Sequence, residues 1–230
     1  MKTAIVAQAR IDTPLGPMTA AATARGIAGL WFDGQRHHPG PLAVPVDESN
    51  PHIDRQRCEL AAYWAGKQAG KGAGNDAIDG TRNAADEGAG GDRLRFTVAL
   101  DPQGTPFQRR VWRALAAIAP GHTDRYGAIA ARLGMTQAAR AVGAAVGRNP
   151  VSIVIPCHRV LGSDGTLTGY AGGLARKSAL LAHEGALRSQ EGASTQRAGD
   201  EGGPRSGPRS ARYLKRSSGT VKISPGSDAT

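Results

Sequence analysis

The stretch from residue 66 to 92 sets the limits on what this chain can fold into. Gly, Asp, Asn and Ala dominate it, and large apolar side chains are nearly absent. No periodicity survives there, so it reads as a flexible linker or inserted loop. From Ser189 onward Gly, Ser, Arg, Pro and Thr take over, and 189–230 reads as a disordered basic tail. Of 230 residues, two blocks remain that can bury a core: 1–65, completed by a last strand at 94–99, and 103–187.

The first block reads as strands followed by a helix. Thr3 to Ala7, Met18 to Thr23 and Ile27 to Phe32 are the strands, the last two joined by a tight turn at Arg25-Gly26. Pro51 to Gly66 reads as a helix with Ile53, Leu60, Tyr63 and Trp64 in an apolar stripe. Cys58 lies on that helix and is expected to pack. His37-His38 has no Cys, Asp or Glu at ligand spacing, so a surface loop is expected and no metal.

The second block is mostly helical. Thr105 caps a helix with Pro106 in its first turn and Gln108 three residues after the cap. Phe107, Val111, Trp112, Leu115 and Ile118 form its core face. Tyr126 to Leu133 is a second helix, ended by Gly134. Thr136 then caps a third, from Gln137 to about Gly147, which completes a helix-turn-helix pattern. This third helix is unusually small-sided. Ala138, Ala139, Ala141, Gly143, Ala144, Ala145 and Gly147 leave Gln137, Arg140 and Arg148 as its long polar side chains. So smooth a face suits close approach to a minor groove better than base reading in a major groove. Tight helix packing would also use it. The fold class is α/β (α+β): a small N-terminal β-sheet and helix domain beside a mostly helical C-terminal domain.

The chemistry concentrates at Asn149 to Val160. Val151 to Ile155 is apolar and β-branched and reads as a short buried strand. Pro156 stops it, placing Cys157 just past a strand end, followed by His158 and Arg159. A thiol beside an imidazole and a guanidinium sits in an electropositive setting that favours the thiolate, which is the nucleophile.

The wording of that segment resembles a known family. Asn149-Pro150, five residues, then Pro156-Cys157-His158-Arg159-Val160 resembles the acceptor-site signature of the O6-alkylguanine-DNA alkyltransferases, the methylated-DNA–protein-cysteine methyltransferases. The similarity extends to Gly104-Thr105-Pro106-Phe107-Gln108, to Tyr126-Gly127, to Leu167 through Gly173 and to Leu180 through Gly185. It covers 94–187 closely and 3–65 loosely. It implies repair of DNA by direct reversal: an O6-alkylguanine is flipped out of the duplex and its alkyl group moves irreversibly to Cys157. A thioether is not a leaving group, so each molecule reacts once, without a cofactor.

The resemblance also assigns roles. Cys157, His158 and Glu184 map onto a Cys–water–His–Glu relay. Tyr126 hydrogen-bonds or protonates the base, and Asn149 ties the recognition helix to the acceptor segment. Arg140 is the intercalating finger, with Thr123, Gln137, Ala138, Ala141 and Gly143 as further DNA contacts. The Val160 carbonyl, Tyr170, the Ala171 amide and Gly172 form the base pocket. Some relatives bind a structural zinc through cysteines that this chain lacks. The expected partner is double-stranded DNA, bound through the minor groove without sequence preference.

Charge agrees with that partner, at +10 formally. No segment approaches the roughly 18 apolar residues needed to span a bilayer, and two free cysteines suit a reducing compartment. A cytoplasmic monomer is expected. Two other readings compete. A non-catalytic DNA-binding or regulatory relative would replace the acceptor Cys or add a Cys-rich sensing domain. A Cys-His hydrolase would need an oxyanion hole and would turn over.

Overall fold

The computed structural model describes residues 3–66 and 96–187. The expected linker (66–92) apart from Gly66, the tail (189–230) and the first two residues of the strand expected at 94–99 lie outside the described residues.

Three antiparallel strands form the N-terminal sheet in the order β1 (Ile5–Ile11), β2 (Met18–Thr23), β3 (Gly26–Phe32). The β1 strand runs four residues past the expected Ala7, because its register with β2 carries on to Ile11 opposite Met18. The hairpin turn falls one residue early, at Ala24-Arg25, since Gly26 already pairs with Thr23. Every residue of β3 is buried. Helix α1 (Pro51–Trp64) packs on β2 and β3, while the chain leading to Cys157 borders β3. Asn50 caps α1 by accepting the His52 and Ile53 amides.

Two departures from the sequence reading have structural causes. The strand expected at 94–99 is reduced to one bridge, Ile27 to Leu100. The Glu59 carboxylate, buried on α1, takes the Thr97 and Val98 amide hydrogens at 2.8 and 3.1 Å, which a neighbouring strand would otherwise accept. Cys58, expected to pack, is exposed, because the buried face of α1 runs through Ile53, Gln56, Glu59, Leu60 and Tyr63.

The helices follow. Helix α2 (Pro106–Ala116) starts in the full capping box, Thr105 and Gln108 each accepting from the other's backbone. Trp112 on α2 is buried and its indole N–H donates to Ala145 O at 2.9 Å, tying α2 to the fourth helix. After β4 (Asp124–Arg125) come α3 (Tyr126–Arg132) and α4 (Ala139–Gly147). Between these two, Gly134 takes a left-handed φ of 73°. Helix α4 begins at Ala139, not Gln137. Thr136 therefore does not cap it, and Gln137 and Ala138 belong to the turn before it. A 3₁₀ turn (Cys157–Arg159), β5 (Val160–Leu161, parallel to β4) and α5 (Leu174–His183) complete the fold.

Gly26 marks where the sheet meets the segment at Ala99–Leu100. A Cβ there would lie 2.4 Å from Ala99 O, a backbone atom held in place by the Ile27 amide. Gly26→Ala is expected to cost about 1–3 kcal/mol as overpacking. A thermal melt checks it, and an unchanged midpoint would refute the contact.

Candidate active site

The acceptor segment is hung from the N-terminal sheet. Leu30 N donates to Pro150 O and Ser152 N donates to Leu30 O, each at 2.8 Å. That single bridge is all that forms of the strand expected over Val151 to Ile155. Beyond it Ile153 adopts φ 72°, and the chain turns through Ser152–Ile155 into Pro156. A β-branched residue in the left-handed region is strained. Cys157 consequently sits in a 3₁₀ turn, not at a strand end.

Asn149 holds this turn together. Its side-chain oxygen accepts Val151 N at 3.0 Å, and its Nδ2 donates to Ile155 O at 2.8 Å and to Cys157 Sγ at 3.0 Å. Both Asn149 and Cys157 are buried. Burial pushes the Cys157 thiol up, and the Asn149 N–H and the nearby Lys177 charge only partly offset it. The resting group is therefore a thiol, which corrects the expectation that the flanking cations alone would make a thiolate. His158 is held neutral, and Arg159 is engaged elsewhere.

That engagement is the feature the sequence reading missed. Arg159 Nε and Nη2 grip both Glu184 oxygens, at 2.7 and 2.9 Å, and Nη1 donates to Ile118 O. Glu184 Oε1 also accepts from His158 Nε2 and from the Tyr63 hydroxyl, each at 2.9 Å. Burial would raise the Glu184 carboxyl, but His158 and Arg159 outweigh it and hold it far below the usual carboxylate range. An ionised carboxylate only accepts, so the His158 proton sits on Nε2 and Nδ1 carries the lone pair. Among the described residues His158 Nδ1 is buried without a protein partner. Burial lowers the His158 pKa against the pull of Glu184, leaving a neutral base.

Lys177 is a second buried cation without a carboxylate. Its Nζ donates to Val160 O and to Thr168 O, joining β5 to the loop that follows, and burial pushes its pKa down to about 8. Val160 O keeps a second lone pair for another donor. In that loop the Ala171 carbonyl accepts the Arg36 amide at 2.9 Å. Gly172 has no room for a side chain: a Cβ would lie 2.7 Å from the Tyr170 ring and 3.3 Å from Phe32. Tyr170 stands edge-on to His158, with ring centroids 6.4 Å apart.

Tyr126 opens α3 and is half-buried, its ring facing Gly143. Burial raises its phenol above the ordinary value despite a hydrogen bond with Thr168, so it stays a proton donor. With Arg125, Ala139, Arg140, Gly143 and Ser163 it lines an open cleft of about 580 Å³. Arg140, Ala141 and Ala144 on α4 and Arg148 at its C-cap are exposed, and Val142, Ala145 and Val146 are buried. Thr123 and Ala138 are partly exposed and Gln137 is exposed. The structure thus brings Asn149, Cys157, His158 and Glu184 together, with Tyr170 beside them. It puts Tyr126, Arg140 and Gly143 on the cleft, while Thr123, Gln137, Ala138 and Ala141 line neither. His37-His38 stays in a loop, where His38 packs edge-on against Trp31.

Fold and site define a class: a helix-turn-helix α/β protein with a buried cysteine beside a histidine–carboxylate pair. Comparison with known proteins narrows it. Residues 106–186 match the family model described as the 6-O-methylguanine DNA methyltransferase DNA-binding domain. The methylated-DNA–protein-cysteine methyltransferase of Mycolicibacterium paratuberculosis is 57% identical over 173 residues, 75% of this chain and 88% of that one. That of Mycobacterium tuberculosis is 38% identical over 180 residues, covering 74% and 87%. The crystal structure of M. tuberculosis OGT in complex with DNA superposes with a TM-score of 0.61 at 37% identity, covering 79% of this chain and 94% of that one. The chain belongs to the methylated-DNA–protein-cysteine methyltransferase family.

Proposed function

We propose that this protein repairs O6-alkylguanine in DNA by moving the alkyl group to Sγ of Cys157. Family membership supports the reaction class. The observation that carries the assignment to Cys157 is the buried sulfur taking an N–H from Asn149 at 3.0 Å, next to a histidine pinned by Glu184 at 2.9 Å. Residues 103–187 would bind DNA and accept the alkyl group, and residues 1–65 would support them.

Duplex DNA enters through the minor groove against the small-sided face of α4, independent of sequence and with one protein molecule per lesion. Arg140 fills the gap that the flipped nucleotide leaves, since the lesion is otherwise buried in the stack. The base lies between Tyr170 and the 160 and 171–172 backbone. The Cys157 proton passes through a bridging water to His158 Nδ1, and Glu184 stabilises the imidazolium. The thiolate attacks the alkyl carbon, the S–C bond forms and the C–O6 bond breaks. Tyr126 supplies the proton that neutralises the departing guanine, and its phenolate is reprotonated from the His158 imidazolium through water, so the proton that left Cys157 is the one the base gains. The product is a buried thioether, so the reaction ends after one event. Among the described residues no helix is long and apolar enough to cross a membrane, and a cytoplasmic setting suits the free thiols.

Intact-protein mass after mixing with an O6-methylguanine duplex tests this. One methyl replacing one hydrogen is expected per protein, and none in Cys157→Ala. DNA binding without a mass gain would point to a lesion-binding module. Release of repeated product from one protein molecule would point to a hydrolase.

A further inference from the structure

We propose that Tyr63, on the N-terminal helix α1, is a positioning residue for alkyl transfer: its hydroxyl holds the Glu184 carboxylate behind His158. The inference rests on the reading of Cys157 as acceptor. It starts from an arrangement that reaches across the chain. Tyr63 and Glu184 are separated by 121 positions, yet the phenol donates to Oε1 at 2.9 Å, the same oxygen that takes the His158 proton. Tyr63 is 2% exposed, so this bond forms out of water.

The carboxylate is shared among three groups. Arg159 binds both oxygens, while His158 and Tyr63 share Oε1. Every donor on Oε1 draws negative charge away from the others. With the phenol in place, Glu184 fixes the His158 tautomer without making the ring strongly basic. Without it, the same charge falls on His158 and Arg159 alone, and the imidazolium is favoured. Lys177 and the Tyr170 ring also face His158, and Tyr170 acts on the Tyr63 phenol as well, adding to the upward push on it. Burial and the Glu184 charge keep the Tyr63 phenol protonated at any working pH, so it always donates.

The position of Tyr63 does not depend on its hydroxyl. Its backbone carbonyl accepts from His183 Nε2 at 2.9 Å, and its ring packs on His183 and Phe96, with centroids 4.8 and 5.5 Å away. His183, which the sequence reading left without a role, locks α1 against the end of α5. Tyr63→Phe therefore removes the donor and keeps the packing.

The experiment is the single-turnover methyl-transfer rate against pH for the full chain, with DNA saturating. The rate is expected to fall on the acid side as His158 gains a proton and Nδ1 ceases to be a base. In Tyr63→Phe that acid limb should move up by about 0.5–1 pH unit, with DNA affinity unchanged. Phe96→Leu, which loosens the same packing without touching Glu184, should leave the limb in place. An unmoved limb in Tyr63→Phe, or an equal shift in Phe96→Leu, overturns the role of Tyr63. Absence of transfer by the unsubstituted chain overturns both this and the acceptor reading.

Discussion

Glu184→Gln is expected to lose both stability and activity. The carboxylate balances a guanidinium that has little else. Arg159 is 5% exposed, and its other partner is the Ile118 carbonyl. A carboxamide keeps one acceptor oxygen and turns the other into a donor, which must face either Arg159 Nε or the group of donors now on Oε1. Removing one member of a buried pair costs about 3–5 kcal/mol. The catalytic loss follows from the tautomer: once Nε2 need not donate to an anion, His158 is free to place its proton on Nδ1. Loss of a positioned base costs about 10²–10⁴-fold in rate. A melt and a single-turnover assay on one preparation measure both, and a midpoint within a degree or two of the original would refute the pairing.

The same groups set the acid limit of stability. His158 has a folded pKa below its unfolded value near 6.5, so the stability from keeping it neutral is complete above about pH 6.5 and falls as pH drops. Glu184 is depressed from about 4.3, so its contribution holds above that pH and is lost below it. The protein should weaken in two stages on acidification, and Glu184→Gln should lack the second.

Much of this was readable where the signal is local. The capping box at Thr105 and Gln108 involves four neighbouring residues and formed as expected. The hairpin strands at Met18–Thr23 and Gly26–Phe32 are set by short apolar runs on either side of a tight turn. Reading failed where a distant group replaces a local one. Nothing near 94–99 reveals that Glu59 will take its amide hydrogens. Nothing in the apolar run at 151–155 shows that Leu30 will bridge Val151 and leave Ile153 in a left-handed turn. The electropositive reading of Cys157 failed for the same reason. Adjacent cations count for little when one of them is paired, 25 positions away, with Glu184. Tyr63 looked like core because its ring packs in the apolar stripe of α1, and only its bond to Glu184 distinguishes it.

Asn149→Asp replaces the amide nitrogen by oxygen and should slow transfer at neutral pH. The Asn149 Nδ2 points at two carbonyls and a sulfur: Ile155 O at 2.8 Å, Cys157 Sγ at 3.0 Å and Val151 O at 3.4 Å. An oxygen there meets three electron-rich atoms and offers none of them a hydrogen. If the Asp ionises, a buried negative charge stands against the developing thiolate and raises the thiol pKa further, by about 1–2 units. Each unit is a tenfold loss of thiolate, so the rate at pH 7 should fall about 10–100-fold with the profile displaced to alkaline pH. If the Asp stays protonated, its single O–H can serve Ile155 or Cys157 but not both, and the turn at Ile153 loses a tie. Asn149→Ala separates the contributions, because it removes the donor without adding charge. Loss of the N–H alone should raise the thiol less than loss of the N–H plus a buried negative charge, so the Asn149→Ala profile should be displaced to alkaline pH by less than that of Asn149→Asp. Methyl-transfer rates of the two variants across pH decide the point, and identical profiles would mean that the amide braces the turn without acting on the sulfur.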